Sequence, residues 1–350
     1  MTARIFVIAL VVFCIVTGQT AHDAAALNSH GNRILGITVN EVPGVKYLTA
    51  FNAAKQIGLQ SVSLNLPWDE IEPTPGVYSS KFLSIADQFY PTQQLHVSLV
   101  ITLIDTNHLR MPKDLAGKRF DDPVVIDRFN RLMSWVLTQI PHVTLNCVSI
   151  GNEVDVYLGT NNDRWQQYIN FFAKTSAHVR QLRLGTPVGA KTTFKGIVLH
   201  PDLIHSLNHF ADVAMVTYYP LQDNAMVRSP TVVAQDFATM VQQLPGRPIL
   251  ILEAGYPSST LLDSSERKQS EFVHNVFDAW DRYPVSIREV EFTWENDIPD
   301  TIVRQLGTYF GISDAKFLAY LGSIGLRNEN GKPKMAFLTL GEETKKRGWW

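Results

Sequence analysis

The stretch CVSIGNEVD, residues 147–155, begins as an apolar run suited to a protein interior and ends on Asn152, Glu153 and Asp155, which need water or a partner. RPILILEAGYPSS, residues 247–259, repeats the device: Ile249 to Leu252 are apolar and Glu253 follows at once. A short apolar run with a carboxylate at its end is the pattern of a buried parallel strand whose C-terminal end opens into a site.

Outward from these two, further β-branched apolar runs recur along the chain. With Cys147–Gly151 and Ile249–Glu253, the expected strands are Ile34–Thr38, Val62–Leu66, His96–Leu103, Pro187–Ala190, Val213–Thr217 and Val290–Trp294. Helix-period segments lie between them. In Asp121 to Gln139 the residues Val125, Phe129, Leu132 and Val136 recur at spacings of three and four, and Ser264 to Arg282 carries Phe272, Val276 and Trp280 as its stripe, with Ser264 expected as its cap. Strand and helix in alternation imply parallel strands joined by crossovers, and eight such units closing on themselves make an α/β fold, the (β/α)8 TIM barrel. A doubly wound open sheet is the rival architecture. It calls for a glycine-rich phosphate loop after an early strand, and LGITVNEVPGV, residues 35–45, has no G-x-G-x-x-G. No linker divides the chain, so one catalytic domain is expected over residues 30–350.

In such a barrel the reactive groups gather at the C-terminal ends of the strands. Glu153 ends strand four and Glu253 ends strand seven, so two carboxylates face one rim. Cleavage of a glycosidic bond uses such a pair: one carboxyl protonates the leaving oxygen while the other attacks the anomeric carbon or activates water. A spacing of about 5 to 5.5 Å goes with retention of configuration and about 6.5 to 9.5 Å with inversion.

GNE at the end of strand four with a second Glu ending strand seven resembles the large clan of retaining glycoside hydrolases on (β/α)8 barrels, clan A. The resemblance implies Glu153 as acid/base, Glu253 as nucleophile and Asn152 as partner of the sugar 2-hydroxyl. PWDEIEPTPGVY, residues 67–78, is similar to the segment after strand two of β-galactosidase-like families, and VTYYPL, residues 216–221, to strand six of endo-β-1,4-galactanases. FTWEND, residues 292–297, puts Trp294 where the clan commonly has a sugar-stacking Trp, and LGSIGLRNENGKPKMAF, residues 321–337, is similar to the ending of several families. The exact family is unassigned. One departure is plain: many clan members carry an Arg near the end of strand two that supports the nucleophile, whereas SVSLNLPW, residues 61–68, offers Asn65 and no Arg.

Other residues are weighed by placement. Strand alternation sets Tyr219 on the same side as Thr217 and opposite Tyr218, so the Tyr219 hydroxyl is a candidate to orient the nucleophile. Trp294 and Trp68 are candidate sugar platforms, and Asn65 is a candidate substrate contact. Asp155 reads as a loop residue bonded to its own backbone, and Glu72, in IEPTPG, as a turn residue tied to backbone or a cation. The histidines at 200, 205 and 209 run along a helix rather than a rim, so no metal site is expected, and the chemistry requires no cofactor.

The bulk composition agrees with a soluble enzyme. The chain has 350 residues, 45% hydrophobic and 18% charged, with a formal net charge of -2, too balanced to suggest a nucleic-acid partner. At the N-terminus Arg4 precedes an apolar run from Ile5 to Val16 and small residues follow, the layout of a secretory signal peptide over residues 1–21. The run is shorter than the roughly 20 residues a membrane span needs. The expectation is therefore a secreted or periplasmic protein without a stable span after the leader is removed. Removal leaves Cys147 as the lone cysteine, so no internal disulfide forms. The reading is hydrolysis of β-glycosidic bonds in oligo- or polysaccharides. The alternatives are a non-catalytic carbohydrate-binding barrel, or a transglycosylase using the same site.

Overall fold

The computed structural model describes residues 29–350, so the expected leader lies outside the described residues. The barrel strands are β1 (Ile34–Ile37), β2 (Ser61–Pro67), β3 (His96–Asp105), β4 (Thr144–Asn152), β5 (Val188–Gly189 continued by Lys191–Thr193), β6 (Ala214–Tyr218), β7 (Ile249–Ala254) and β8 (Ile287–Phe292). Each pairs in parallel with its sequence neighbours, and β8 returns to β1. Closure comes at β5. Its first half pairs with β4 and its second half, beyond Ala190, with β6. The fold is a (β/α)8 barrel.

Both faces of these strands are buried, but they are buried against different things. The outward side chains, among them Leu35, Ile37, Val148, Ile150, Val216, Val290 and Phe292, join helix residues such as Phe129, Phe172, Phe237 and Phe277 in one continuous core. Each such side chain contributes roughly 1.5–3 kcal/mol by leaving water. Alternation then turns the other set inward. Ser61, Ser149, Lys191, Thr217, Glu289 and Glu291 are buried there, with Cys147, Met215, Leu250 and Leu252 as a separate apolar plug.

Two helices answer to local sequence. Pro123–Gln139 starts at a proline whose missing N–H costs nothing in the first turn, and Asp122 caps it by accepting from the Val124 N–H. Glu266–Arg282 is capped by Ser265, which accepts from the Lys268 N–H, rather than by Ser264. The Ser264 hydroxyl is buried and donates to the Pro257 carbonyl instead.

After β8 the chain leaves the barrel wall as two short helices, Asp300–Phe310 and Ala315–Leu321, before the closing helix Met335–Lys346. This arm reaches loop three, where His108–Leu109 folds back antiparallel on the end of β3. The Asn107 amide donates to the Phe310 carbonyl at 2.9 Å, the Tyr309 hydroxyl donates to Asp105 at 2.7 Å, and His108 meets the Tyr309 carbonyl. Among the described residues, no helix is long and apolar enough to cross a membrane.

Candidate active site

A cavity of about 330 Å³ opens at the C-terminal ends of the strands, and its lining includes Asn65, Asn152, Glu153, Lys191, Tyr219, Glu253 and Trp294. The two apolar runs that lead to Glu153 and Glu253 thus meet in one place.

Strand geometry explains how each carboxylate gets there. Along β4 the inward positions are Cys147, Ser149 and Gly151, and Glu153 is next in step. Its backbone is left-handed, φ 46° and ψ 46°, a conformation non-glycine residues adopt only when their surroundings hold them in it. β7 needs a different device. Ile251 points outward into the helix layer, so strict alternation would send Glu253 outward too. The register instead slips, from Val216↔Ile251 to Thr217↔Glu253 on one side and from Val290↔Ile251 to Phe292↔Ala254 on the other. This bulge lets Leu252 and Glu253 both line the cavity.

The two carboxylates have unlike surroundings. Glu153 accepts hydrogen bonds from two neutral hydroxyls, Thr217 at 2.7 Å and Thr106 at 2.8 Å. Burial, and then the nearby charge of Glu253, raise its pKa to about 7. Glu253 has a cation: Lys191 Nζ donates to one oxygen at 2.8 Å and the Tyr219 hydroxyl to the other at 2.7 Å. Burial alone would lower the Lys191 pKa, but Glu253, Glu291 and Glu153 more than offset it and hold it above the ordinary value. Burial and the adjacent Glu253 also hold the Tyr219 phenol far above its usual range, so it stays a donor. A Cβ at Gly255 would lie 2.7 Å from the Tyr219 ring, so this glycine lets the ring sit over Glu253.

Below the rim the acids continue. Glu291 accepts from Ser63 at 2.6 Å and Thr38 at 2.7 Å, and Glu289 lies deeper, bonded to Asn146. Gly36 leaves room for Glu291, whose Cβ would be 2.7 Å from a Cβ there. Burial foremost, helped by Glu291 beside Glu289 and Glu253 near Glu291, pushes these carboxyls up to about 8 for Glu289 and about 7 for Glu291.

Asn152 is one of the residues that line the cavity; its amide donates to Asp105 at 2.9 Å and its Oδ1 is buried without a partner. That oxygen keeps an unused capacity to accept a hydrogen bond. Asn65 lines the cavity on the β2 side, and Trp294 lies just past the end of β8, which stops at Phe292. Trp68 requires correction as a sugar platform. It is wholly buried, packs edge-on against Phe129 and donates its indole N–H to Glu72 at 2.7 Å, which leaves no face for a ligand. Glu72 is a structural anchor, taking the Gly76 N–H and the Arg128 guanidinium as well. Asp155 is likewise structural: besides its own backbone N–H, its partners are the N–H and hydroxyl of Thr193.

Sequence reasoning missed Lys191, Thr106 and Asp105. Lys191 had a signal: it lies two residues beyond Gly189, so a strand carried past Ala190 puts it inside the barrel.

No family model matches the chain, and no curated protein matches it. Solved structures do. The exo-β-1,4-mannosidase Op5Man5 from Opitutaceae bacterium strain TAV5 superposes with a TM-score of 0.69 at 14% identity, over 89% of this chain and 59% of that one. A variant of GH5_18 from Streptomyces cattleya, in complex with Manb1-4GlcNAc, gives 0.68 at 15% identity over 89% and 80%. A family 39 glycoside hydrolase from Bacteroides cellulosilyticus WH2 gives 0.63 at 13% over 90% and 64%. At these identities the likeness establishes the shared (β/α)8 fold.

Proposed function

We propose that the protein is a retaining glycoside hydrolase acting on β-glycosidic bonds, with Glu153 as acid/base and Glu253 as nucleophile. The observation that carries this is the contrast between the two carboxylates: one with only neutral hydroxyls as partners and a pKa that burial and the charge of Glu253 raise to about 7, the other held by an ammonium and a phenol. Environments that separate two acids in this way assign their roles. Resemblance to structures of glycosidases on the same fold supports the reading.

In the first step a Glu253 oxygen bonds to the anomeric carbon as the bond from that carbon to the leaving oxygen breaks, and the Glu153 proton goes to that oxygen. In the second, water bonds to the anomeric carbon, the ester to Glu253 breaks, and a water proton returns to Glu153. The ester carries no charge, so Glu153 loses a repulsive neighbour and its proton affinity falls, which keeps it ionised until it takes the proton of the attacking water. Asn152 Oδ1 accepts from the 2-hydroxyl of the bound sugar, Asn65 contacts it from β2 and Trp294 offers it a flat face. A leader over residues 1–21 would send the enzyme out of the cytoplasm; the N-terminal sequence of exported material tests this.

The test of the reaction is turnover of nitrophenyl β-glucoside, β-galactoside and β-mannoside, followed by proton NMR of the first-formed sugar. Retention gives the β-anomer before mutarotation. First release of the α-anomer would replace the double displacement by direct attack of water.

A further inference from the structure

We infer that the leaving-group side of this cavity is built for an apolar aglycone, an alkyl or aryl group, rather than for a second sugar. The inference rests on the reading above, because Glu153 as proton donor marks the side from which the aglycone leaves.

The arm after β8 forms this side of the cavity. Phe310 is tied through its carbonyl to Asn107, whose chain neighbour Thr106 holds Glu153. The tip of the arm is therefore anchored beside the proton donor. From there an aromatic series runs back to the nucleophile: Phe310 to Phe317 at 5.9 Å between ring centroids, Phe317 to Tyr320 at 6.0 Å, and Tyr320 to Tyr219 at 5.5 Å. Ile312 extends this wall from the arm, and Val156 faces the same cavity from the helix that follows Glu153. Ile312 is 37% exposed and Val156 44% exposed, so apolar surface is left open to water at the mouth.

Two of the polar groups beside this wall already have partners. Asp105 accepts from Asn152 on one oxygen and from Tyr309 on the other, and the Asn107 amide N–H is given to Phe310. A pyranose bound here would bring several hydroxyls that lose water, and each left unpaired weakens binding. An alkyl or aryl group loses nothing polar and covers the exposed aliphatic surface.

The test uses methyl, butyl and octyl β-glycosides of glucose, galactose and mannose below their micelle concentrations, with the cellobiose, lactose and mannobiose disaccharides alongside. kcat/KM is measured on the intact protein and affinity on the Glu253→Gln variant. The expected result is a rise of about fourfold per methylene over the first carbons, as for full burial of each CH2. Val156→Asn and Ile312→Asn, both at exposed positions, should flatten this dependence. Turnover that ignores chain length, or that favours a disaccharide tenfold over the butyl glycoside, would overturn the inference and leave the hydrolase reading standing. Affinity that rises with chain length in a protein that hydrolyses none of these compounds would support the apolar site and sink the hydrolase reading. Absence of both turnover and length-dependent binding would overturn the inference as well.

Discussion

Lys191 Nζ lies 2.8 Å from Glu253 Oε1, with the lysine side chain wholly buried and the carboxylate partly open to the cavity. A buried ammonium is costly unless paired, and here three acids surround it. On the proposed reading it takes the part of an Arg on strand two in the clan this sequence resembles, reaching Glu253 from β5 instead.

Lys191→Met should lower kcat by roughly 10²–10³-fold, the usual cost of losing one charge-stabilising donor in a closed site. KM should change much less. Lys191→Arg should recover part of the loss. A variant with unchanged kcat and a lowered melting temperature would show a merely structural lysine.

The alkaline limb belongs to Glu153. With its pKa near 7, activity should fall as pH rises through about 7, because the proton for the leaving group is gone above it. The Thr217 hydroxyl favours the ionised form, so Thr217→Val should shift that limb upward by roughly one pH unit, the equivalent of a hydrogen bond to a charged group. Glu153→Gln should remove the limb. Its loss should be smaller on a dinitrophenyl glycoside, whose leaving group departs without a proton.

Stability should follow the deep acids. In the folded chain Glu289 keeps its proton up to about 8, whereas the unfolded chain releases it near 4.5. The folded state therefore binds more protons between these values, and its stability falls as pH climbs from about 4.5 to about 8. Glu291, with a folded pKa of about 7, acts in the same direction. The melting temperature should be lower at pH 8.5 than at pH 5.5, and Glu289→Gln should reduce that difference. A rise in melting temperature across this range would contradict the assignment.

Trp68→Phe should act on the fold rather than on substrate. It leaves buried Glu72 without its indole donor, a loss of about 1–3 kcal/mol of stability, with KM little changed in the folded fraction. Trp294→Ala should do the reverse, raising KM through loss of the flat face in the cavity.

The barrel was legible because its outward side chains, such as Val148 and Ile150 on β4 or Val290 and Phe292 on β8, are apolar at strand spacing. The two Glu residues were legible because Glu253 follows an apolar run directly and Glu153 follows one across Gly151 and Asn152. Lys191 was not, because KTT after VGA resembles the start of a loop; only the polar lining of the barrel gives that triplet a reason to continue a strand. Trp68 misled for the opposite reason: its place after β2 suggested the rim, yet Phe129 and Glu72 draw it beneath the helix layer. The bulge that aims Glu253 inward leaves no mark in ILILEA, since apolar residues serve equally well on both faces of a barrel strand.

The most direct measurement of the central claim is the mass of the intact protein and its peptic peptides after incubation with activated 2-deoxy-2-fluoro β-glycosides of glucose, galactose and mannose. The account predicts one covalent sugar on the peptide that contains Glu253, and none after Glu253→Gln. Turnover of the parent glycosides without any adduct, or a label on another residue, would contradict it.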